Sequence, residues 1–334
     1  MAFEQNTLGE LLSNPKIKQI AKDAIRNRDL SQEDLWNKTL RQIKDEYIFF
    51  GEIGNGFRCL YRAADSGDWY YPLYSEAECD EDEARRGVNI IRLSSEDPKA
   101  DERPFIFLVP GGGFMNVWSL TEGWPVADQF NRLGYHVFVL TYQVDTGDNL
   151  MKKNMEDFAR ALKLIREKAG QFHVQVDKYI TCGFSAGGYL ICLWNTKMGY
   201  PAFGLPKPQA CFPVYAETSI KETMLVWQAD PEDAMDLYGC TQAEAAESEY
   251  EIPEHAEGFP PSAIFATATD DLVNPNHSRK LAKALEELSI PCRLEIGPEG
   301  GHGFADGTGM CMEGWTERAA RWVQSMNKIG RAHV

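Results

Sequence analysis

The sequence predicts an α/β fold in which a mostly parallel sheet is flanked by helices. From residue 88 onward, short apolar runs alternate with segments whose apolar residues recur every three or four positions. Because consecutive parallel strands need a crossover between them, this alternation indicates helices on both faces of one sheet. The predicted strands are Val88–Leu93, Phe105–Val109, His136–Thr141, Tyr179–Cys182, Ala210–Val214, Ala263–Ala268 and Cys292–Ile296.

Composition excludes several classes of protein. The chain has 334 residues, of which 43% are hydrophobic, so it can build a core without metal or disulfide staples. A net charge of -16 and the absence of any Lys/Arg-rich run argue against nucleic acid as a partner. The eight cysteines are scattered without a C-x-x-C pair, which favours free thiols and a cytoplasmic location over a disulfide framework or a zinc site.

The chain shows no sign of a membrane partner or of export. Its longest apolar runs have the length of a strand, and the first residues lack a basic stretch followed by an apolar one. Nothing in the sequence specifies an oligomeric state.

The predicted domain is extended at its start and interrupted near its end. We expect residues 1–87 to form a helical and strand extension that packs on the core, and residues 88–328 to form the main domain. Residues 216–258 are acidic and helix-prone, and we expect them to be a cap-like insertion over the carboxyl edge of the sheet. Residues 329–334 resemble a translated sequencing adapter, so we treat them, with His333, as a non-native tail.

The extension at residues 1–87 is predicted to begin with two helices. A second helix is expected from about Ser31, whereas residues 51–103 suggest short strands and turns with an acidic solvated loop at Glu76–Glu83. The first helix is predicted from the spacing of Leu11, Leu12, Ile17, Ile20, Ala21, Ala24 and Ile25.

The strongest chemical signal is Gly183-Phe-Ser185-Ala-Gly187, followed by Gly188. It comes directly after a predicted strand and opens an apolar helix, which is the setting of a nucleophile elbow. Small residues two before and two after Ser185 allow a tight turn that exposes the hydroxyl at the edge of the sheet. Ser185 is therefore the candidate nucleophile, although a bare G-x-S-x-G also occurs as a simple glycine-rich turn.

A serine needs a base, and His302 is the histidine best placed to be one. It lies in the glycine-rich loop Gly300-Gly-His-Gly-Phe304, after the last predicted strand. The remaining histidines of the domain occupy positions typical of structural or solvated side chains, namely His136, His173, His255 and His277.

A catalytic serine and histidine usually act with a third residue, a carboxylate that accepts the Nδ1–H of the histidine. We expect this carboxylate after the strand Ala263–Ala268. Asp270 and Asp271 compete for this role, and we favour Asp270 because neighbouring residues of an extended segment point to opposite sides. Either aspartate could instead cap the following helix. The order Ser185, Asp270, His302 is the chain order of α/β-hydrolases.

Backbone donors for an oxyanion are expected in Pro110-Gly-Gly-Gly-Phe114, which follows the strand Phe105–Val109. The N–H groups of Gly112 and Gly113, with that of Ala186 after the nucleophile, would form the oxyanion hole. A phosphate cradle is disfavoured, because no Gly-Lys-Ser/Thr follows.

With these motifs the chain from about Val88 to Trp322 resembles the esterase/lipase family of the α/β-hydrolase superfamily, in its acetylesterase or acetyl xylan esterase branch. Relatives of hormone-sensitive lipase carry His where this chain has Pro110, a departure that leaves the backbone donors in place. The resemblance is carried by the motifs above and by Glu122-Gly-Trp-Pro-Val-Ala127, Leu133-Gly-Tyr-His-Val-Phe-Val-Leu140 and Asp270-Asp-Leu-Val273.

The resemblance implies a serine carboxylic-ester hydrolase that needs no cofactor or metal. Its expected substrates are short acyl esters, above all acetyl esters, of small molecules or saccharides. Four bulky side chains could line the pocket and offer a sugar ring a platform, or could equally be core or cap packing: Phe114, Met115, Trp118 and Trp124.

Two other functions stay open. A serine peptidase acting on small peptides would use the same three residues, with the insertion and the first helices as a lid. A non-catalytic ligand receptor could use the same scaffold, but such a protein would be expected to have lost the nucleophile or the base.

Overall fold

A computed structural model describes residues 3–18, 33–46, 53–144 and 147–332. The predicted helical spacing from Ile20 to Ile25 and the helix start near Ser31 lie outside these residues. In the part of the extension that is described, a bridge joins Thr7, just before the helix Leu8–Leu12, to Thr39, just before the helix Leu40–Glu46.

The predicted mostly parallel sheet is confirmed. Its strands, in chain order, are β1 (Tyr70–Pro72), β2 (Asn89–Leu93), β3 (Phe105–Val109), β4 (Val137–Thr141), β5 (Tyr179–Phe184), β6 (Ala210–Val214), β7 (Ser262–Thr267) and β8 (Cys292–Gly297). The order across the sheet is β1-β2-β4-β3-β5-β6-β7-β8. The β1–β2 and β2–β4 pairs are antiparallel, and every later pair is parallel.

Helices connect the strands and cover both faces of the sheet. Before β2 they are α1 (Leu8–Leu12), α2 (Glu33–Trp36), α3 (Leu40–Glu46), α4 (Ile53–Ser66) and α5 (Glu76–Glu81). Between β3 and β6 they are α6 (Trp124–Arg132), α7 (Leu150–Glu167), α8 (Ala169–Phe172) and α9 (Ser185–Leu193). After β6 they are α10 (Ile220–Thr223), α11 (Pro231–Tyr238), α12 (Gln242–Ala246), α13 (Asn276–Glu287) and α14 (Trp315–Ala332).

Alternate residues of the central strands face two separate cores. In β3, Ile106 and Leu108 join the apolar cluster on one face, while Phe105, Phe107 and Val109 join the cluster on the other. All five are fully buried, as expected for a parallel strand covered on both sides.

The strand order decides where a ligand can bind. From β3 the chain moves outward to β4 and then returns across β3 to β5, so the connections diverge between β3 and β5. Such a reversal leaves a crevice at the carboxyl ends of the two strands, where open α/β sheets bind ligands.

The prediction of short strands and turns throughout residues 51–103 was wrong for the segment that forms α4. Ile53, Phe57 and Leu60 recur at helical spacing and are buried. Gly56 serves close packing rather than a turn, since a Cβ there would lie 3.1 Å from Cβ of Trp124 in α6. A glycine that weakens a helix locally thus lets two helices approach.

The acidic segment Glu76–Glu83 also differs from the predicted loop, because most of it is helix α5. Ser75 and Glu78 form a reciprocal capping box at its start, and this hydrogen bonding stabilises a short helix. The Arg86 guanidinium pairs with Glu76, Asp80 and Glu83, so the segment's charge is partly compensated.

The predicted insertion lies between β6 and β7 and carries α10, α11 and α12. It is tied to the domain at Tyr189 of α9, whose hydroxyl donates to the carbonyl of Tyr250 at 3.0 Å. Among the described residues, no helix is long and apolar enough to cross a membrane.

Two predictions stay open, one about the end of the chain and one about a domain boundary. Helix α14 continues through Ala332, so the backbone of most of the suspected tail at residues 329–334 is helical. His333 lies outside the described residues. The non-native origin of the tail and the domain boundary between residues 87 and 88 both stay predictions.

Candidate active site

Ser185 stands at a sharp turn between β5 and α9. Its φ is +48°, a left-handed conformation that a non-glycine residue rarely adopts. Glycines allow the turn to pack, because a Cβ on Gly187 would lie 2.2 Å from the Pro110 carbonyl oxygen, and one on Gly188 would lie 2.5 Å from Cβ of Ala216. The strand, strained turn and helix are the arrangement expected of a nucleophile elbow.

His302 lies between the serine and a carboxylate. Its Nε2 is 3.0 Å from Ser185 Oγ, and its Nδ1 is 2.8 Å from Asp270 Oδ2. A carboxylate only accepts hydrogen bonds, so Nδ1 carries the hydrogen and Nε2 is free to accept the proton of the serine hydroxyl. This is the tautomer that a general base requires.

The loop that carries His302 is attached to the end of β7. Thr267 donates its hydroxyl to the Gly301 carbonyl at 2.7 Å, and the Gly301 N–H donates to the Thr269 hydroxyl at 3.2 Å. The Tyr215 ring packs edge-on against the imidazole, with centroids 4.8 Å apart. The histidine is thus held from the backbone and from one face of its ring.

Of the two competing aspartates, the structure brings Asp270 to the histidine. Its Oδ1 accepts the N–H groups of Leu272 and Val273 at 3.1 and 2.8 Å, and these bonds orient Oδ2 toward His302. The Asp270 side chain is fully buried, whereas Asp271 is exposed.

The glycine loop after β3 presents unused backbone N–H groups. The Gly112 carbonyl accepts from the N–H groups of Met115 and Asn116, which turns the loop back on itself. Gly112 and Gly113 have φ values of +136° and +60°, which favour glycine. Within the described residues, no acceptor is found for the N–H of Gly112, Gly113 or Ala186. All three therefore remain candidates for the oxyanion hole.

Glu122 lies beside these groups, although no sequence pattern predicted a role for it there. Its Oε2 accepts the Gly111 N–H at 2.6 Å, and its Oε1 accepts the Tyr215 hydroxyl at 2.9 Å. Burial raises the pKa of the Glu122 carboxyl, while the Gly111 N–H, the His302 ring and the Tyr215 hydroxyl oppose the rise. Because Gly111 donates to Glu122, its N–H is not available to an oxyanion, which leaves the next two glycines as the candidates in this loop.

Tyr215 connects this carboxylate to the histidine loop. Its hydroxyl also accepts the N–H of Ala305 at 3.3 Å. Burial and the adjacent Glu122 raise the pKa of Tyr215 well above its usual value, so the phenol keeps its proton. We call the four groups, namely the amides of Gly111 and Ala305 with the side chains of Glu122 and Tyr215, the Glu122–Tyr215 link. The only sequence signal for it was the presence of Glu122 in one of the motifs that carry the family resemblance.

The four bulky residues predicted near the pocket separate in the structure. Met115 is 52% exposed beside the glycine loop, and Phe114 is buried with its ring against Tyr189. Trp118 is half-buried against the core. Trp124 is only 1% exposed and packs on Phe57 of α4, so of its two predicted environments, pocket and core, the structure places it in the core.

Neither a disulfide nor a metal site is found among the residues that the structure describes. All eight cysteines are free. In the part of the chain that the structure describes, no three His, Cys, Asp or Glu side chains are clustered as a metal site would require.

Known proteins share both a family pattern and a fold with this chain. The BD-FAE family model matches residues 93–252, the stretch that holds the glycine loop and the elbow. Among solved structures, an acetyl ester-xyloside bifunctional hydrolase from Caldicellulosiruptor lactoaceticus is 24% identical with a TM-score of 0.63, over 77% of this chain and 96% of that one. The likeness to this solved structure shows the fold of the chain. The predicted α/β-hydrolase fold is thereby confirmed.

Two curated proteins are also similar to this chain in sequence. An endo-1,4-beta-xylanase B from Butyrivibrio fibrisolvens is 26% identical over 246 residues, which is 70% of this chain and 37% of the relative. An acetylxylan esterase from Xylanibacter ruminicola is 24% identical over 217 residues, which is 60% of this chain and 41% of the relative. The chain thus spans about two-fifths of the length of these relatives.

Proposed function

We propose that this α/β-hydrolase is a serine carboxylic-ester hydrolase that works through an acyl-enzyme. The observation that carries the proposal is the pair of hydrogen-bond distances at His302, 3.0 Å to Ser185 Oγ and 2.8 Å to Asp270 Oδ2. A nucleophile, a base and an orienting carboxylate in this order of contact activate a hydroxyl that is otherwise a weak nucleophile.

In the proposed acylation step, His302 Nε2 takes the proton of Ser185 as Oγ attacks the carbonyl carbon of the ester. The negative oxygen of the tetrahedral intermediate would accept the N–H groups of Gly112, Gly113 and Ala186. When the carbon–oxygen bond to the alcohol breaks, the imidazolium of His302 returns the proton to the leaving oxygen. Asp270 stabilises the imidazolium while it exists.

Deacylation would repeat these steps with water in place of the serine. His302 deprotonates a water molecule, the resulting nucleophile attacks the acyl carbon, and Ser185 leaves with the proton. None of the steps needs a group beyond the side chains and amides of this chain.

We further propose that the acyl group is short, with acetyl the best substrate, and that the alcohol is a saccharide. The acetylxylan esterase and the acetyl ester-xyloside hydrolase among the similar proteins support both points. A long apolar acyl chain would have to pass the acidic insertion, and a lipase groove would gain about 0.8 kcal/mol for each methylene it buried. The free thiols favour a reducing compartment, and we propose the cytoplasm.

A hydrolysis panel tests the function. Nitrophenyl esters from acetyl to octanoyl, acetylated xylo-oligosaccharides and aminopeptidase substrates are assayed with the wild type and with Ser185→Ala. We expect kcat/KM to peak at or below four acyl carbons, and Ser185→Ala to lower turnover by a factor on the order of 10⁴ while leaving the fold intact.

Three outcomes would contradict these proposals in different ways. A rate that rises to eight carbons would indicate a lipase, and turnover of peptides alone would indicate a peptidase. A wild-type protein without turnover of any ester would support a ligand receptor.

A further inference from the structure

Glu217 is a second carboxylate at the edge of the sheet where the candidate triad lies. Glu217 follows β6 by three residues, just as Asp270 follows β7 by three residues. Strand β6 lies between β5, which leads to Ser185, and β7. Because these strands are parallel, their carboxyl ends bring Ser185, Glu217 and Asp270 to one edge.

The neighbours of Glu217 contact the elbow and the base directly. The Cβ of Ala216 lies against Gly188 in the first turn of α9. The ring of Tyr215 packs on His302 at 4.8 Å. Glu217 follows these two residues, and it is close enough to His302 for the imidazole to act on its pKa.

One oxygen of the Glu217 carboxylate is left without a partner. Oε1 accepts the Thr223 hydroxyl at 2.5 Å, whereas Oε2 accepts no hydrogen bond from any residue that the structure describes. Oε2 is not sealed in the interior either, and the residue is half-buried. Burial still raises the pKa of the Glu217 carboxyl, while the Thr223 hydroxyl and the His302 imidazole act to lower it. A hydrogen bond from a ligand to a partly desolvated acceptor of this kind stabilises the bound state.

The side of the site that Glu217 faces follows from the role proposed for His302. The leaving oxygen must come within hydrogen-bond reach of His302 Nε2 to receive its proton. A carboxylate close enough to act on the His302 imidazole would therefore lie toward the alcohol part of the ester. A hydroxyl fits it better than an ammonium group, since an ammonium would add a second positive charge beside the imidazolium that forms during catalysis.

We propose that Glu217 is a specificity residue that accepts a hydrogen bond from a free hydroxyl of the leaving alcohol, so that the enzyme selects esters of polyols and sugars in which neighbouring hydroxyls are unacylated. The inference rests on the proposed ester hydrolysis. It adds a named residue that recognises the alcohol, beyond the triad and the oxyanion hole.

The test compares two acetate esters that differ only in the hydroxyls of their alcohol, propyl acetate and glycerol monoacetate. Glu217→Met keeps the length of the side chain and removes both oxygens, and Thr223 keeps a partner because its hydroxyl also lies 3.2 Å from the Ser219 carbonyl. Glu254→Met is the matched control, since it removes an insertion carboxylate that instead pairs with Lys221.

We expect Glu217→Met to lower the ratio of kcat/KM for glycerol monoacetate over propyl acetate by about tenfold or more, mainly through KM. Glu254→Met should leave this ratio unchanged. Any effect of Glu217 on His302 acts on both esters and cancels in the ratio. Turnover of propyl acetate reports whether each variant is folded.

A ratio within twofold of the wild type in Glu217→Met would overturn the inference while leaving ester hydrolysis intact. A wild type that cleaves neither ester would instead overturn the proposed function, and the inference with it. If Glu217→Met does not fold, Glu217→Gln replaces it, with an expected drop of about threefold because a neutral amide is a weaker partner than a carboxylate.

Discussion

The strain at Ser185 is held in place by the residues around it. A non-glycine residue at a φ of +48° costs about 1–3 kcal/mol, and such a conformation persists only where packing imposes it. Here Gly187 lets α9 approach the Pro110 backbone, and Gly188 lets it approach Ala216. The serine hydroxyl therefore already lies within hydrogen-bond distance of His302, so no rearrangement is needed before proton transfer.

At the same scale, the hydrogen bond from His302 to Asp270 predicts a difference between two adjacent residues. Asp270→Asn should lower kcat by about 10³-fold to 10⁴-fold, because an amide at that position no longer enforces the tautomer in which Nε2 accepts a proton. Asp271→Asn should leave kcat within about twofold, since that side chain is exposed. Steady-state kinetics on an aryl acetate measures both.

Folding should be retained in both aspartate variants. In Asp270→Asn the amide oxygen of the new side chain can still accept the N–H groups of Leu272 and Val273, so thermal unfolding should change little. Equal losses of kcat in the two variants, or a larger loss at Asp271, would show that the carboxylate is assigned wrongly.

Among the elements, the Glu122–Tyr215 link joins the two loops that flank the elbow. It holds the glycine loop through the Gly111 N–H and the histidine loop through the Ala305 N–H. Gly111 is also in close contact with the elbow, since a Cβ there would lie 2.9 Å from Cβ of Ser185. The position of the candidate oxyanion donors relative to His302 thus depends on one buried carboxylate and one phenol.

Tyr215→Phe tests this link. It keeps the ring against His302 but removes the hydroxyl, leaving Glu122 Oε1 and the Ala305 N–H without their partner. We expect kcat to fall by about tenfold with KM nearly unchanged, because loop misplacement weakens the transition state more than ground-state binding.

Tyr142→Phe is the matched control for stability. The Tyr142 hydroxyl donates to the Pro110 carbonyl at 2.9 Å, so its loss also leaves a buried group unpaired beside the same loop, at a cost of about 1–3 kcal/mol. We expect similar losses of stability in the two variants and a loss of kcat only in Tyr215→Phe. Equal kcat values would argue that the link is structural and does not position the site.

For the whole molecule, His277 joins the insertion to the domain. Its Nδ1 accepts the Ser219 N–H at 3.1 Å, and its carbonyl accepts the Thr218 hydroxyl at 2.8 Å. The side chain is 3% exposed, and burial lowers its pKa from 6.5 to about 4. The neutral imidazole is therefore the form that the fold requires.

This burial predicts how stability depends on pH. Between about pH 6.5 and about pH 4 the unfolded chain binds a proton that the folded chain does not, so the free energy of unfolding falls as the pH falls. The lowered pKa corresponds to about 3 kcal/mol, present above pH 6.5 and lost through this window. Urea unfolding of the wild type and of His277→Asn, whose amide keeps an acceptor but does not titrate, measures the contribution.

The free energy of unfolding of the wild type, minus that of His277→Asn, should increase as the pH rises from about 4 to about 6.5 and stay constant above it. Parallel curves across that window would mean that His277 does not carry this pH dependence. Other titrating groups contribute to both proteins and drop out of the comparison.

The sequence by itself determined the features that depend on neighbours along the chain. Seven strands were predicted from short apolar runs, and six of them, β2 to β7, are buried along their whole length, as a strand covered on both faces must be. The elbow at Ser185 and the glycine loop at Gly111–Gly113 were predicted because a tight turn and a close backbone approach require glycine at particular spacings. The choice of His302 followed from its glycine-rich loop and from chain order.

Only the tertiary structure decided what depends on residues far apart in the chain. The sequence left Trp124 open between pocket and core and did not show the packing role of Gly56, because both lie in a contact between α4 and α6 that no local pattern encodes. The sequence left Asp270 and Asp271 open, and only the orientation of their loop separates them. Glu122 and Glu217 resemble surface acids in the sequence. Burial beside specific donors is what distinguishes them, and burial is a property of the folded chain.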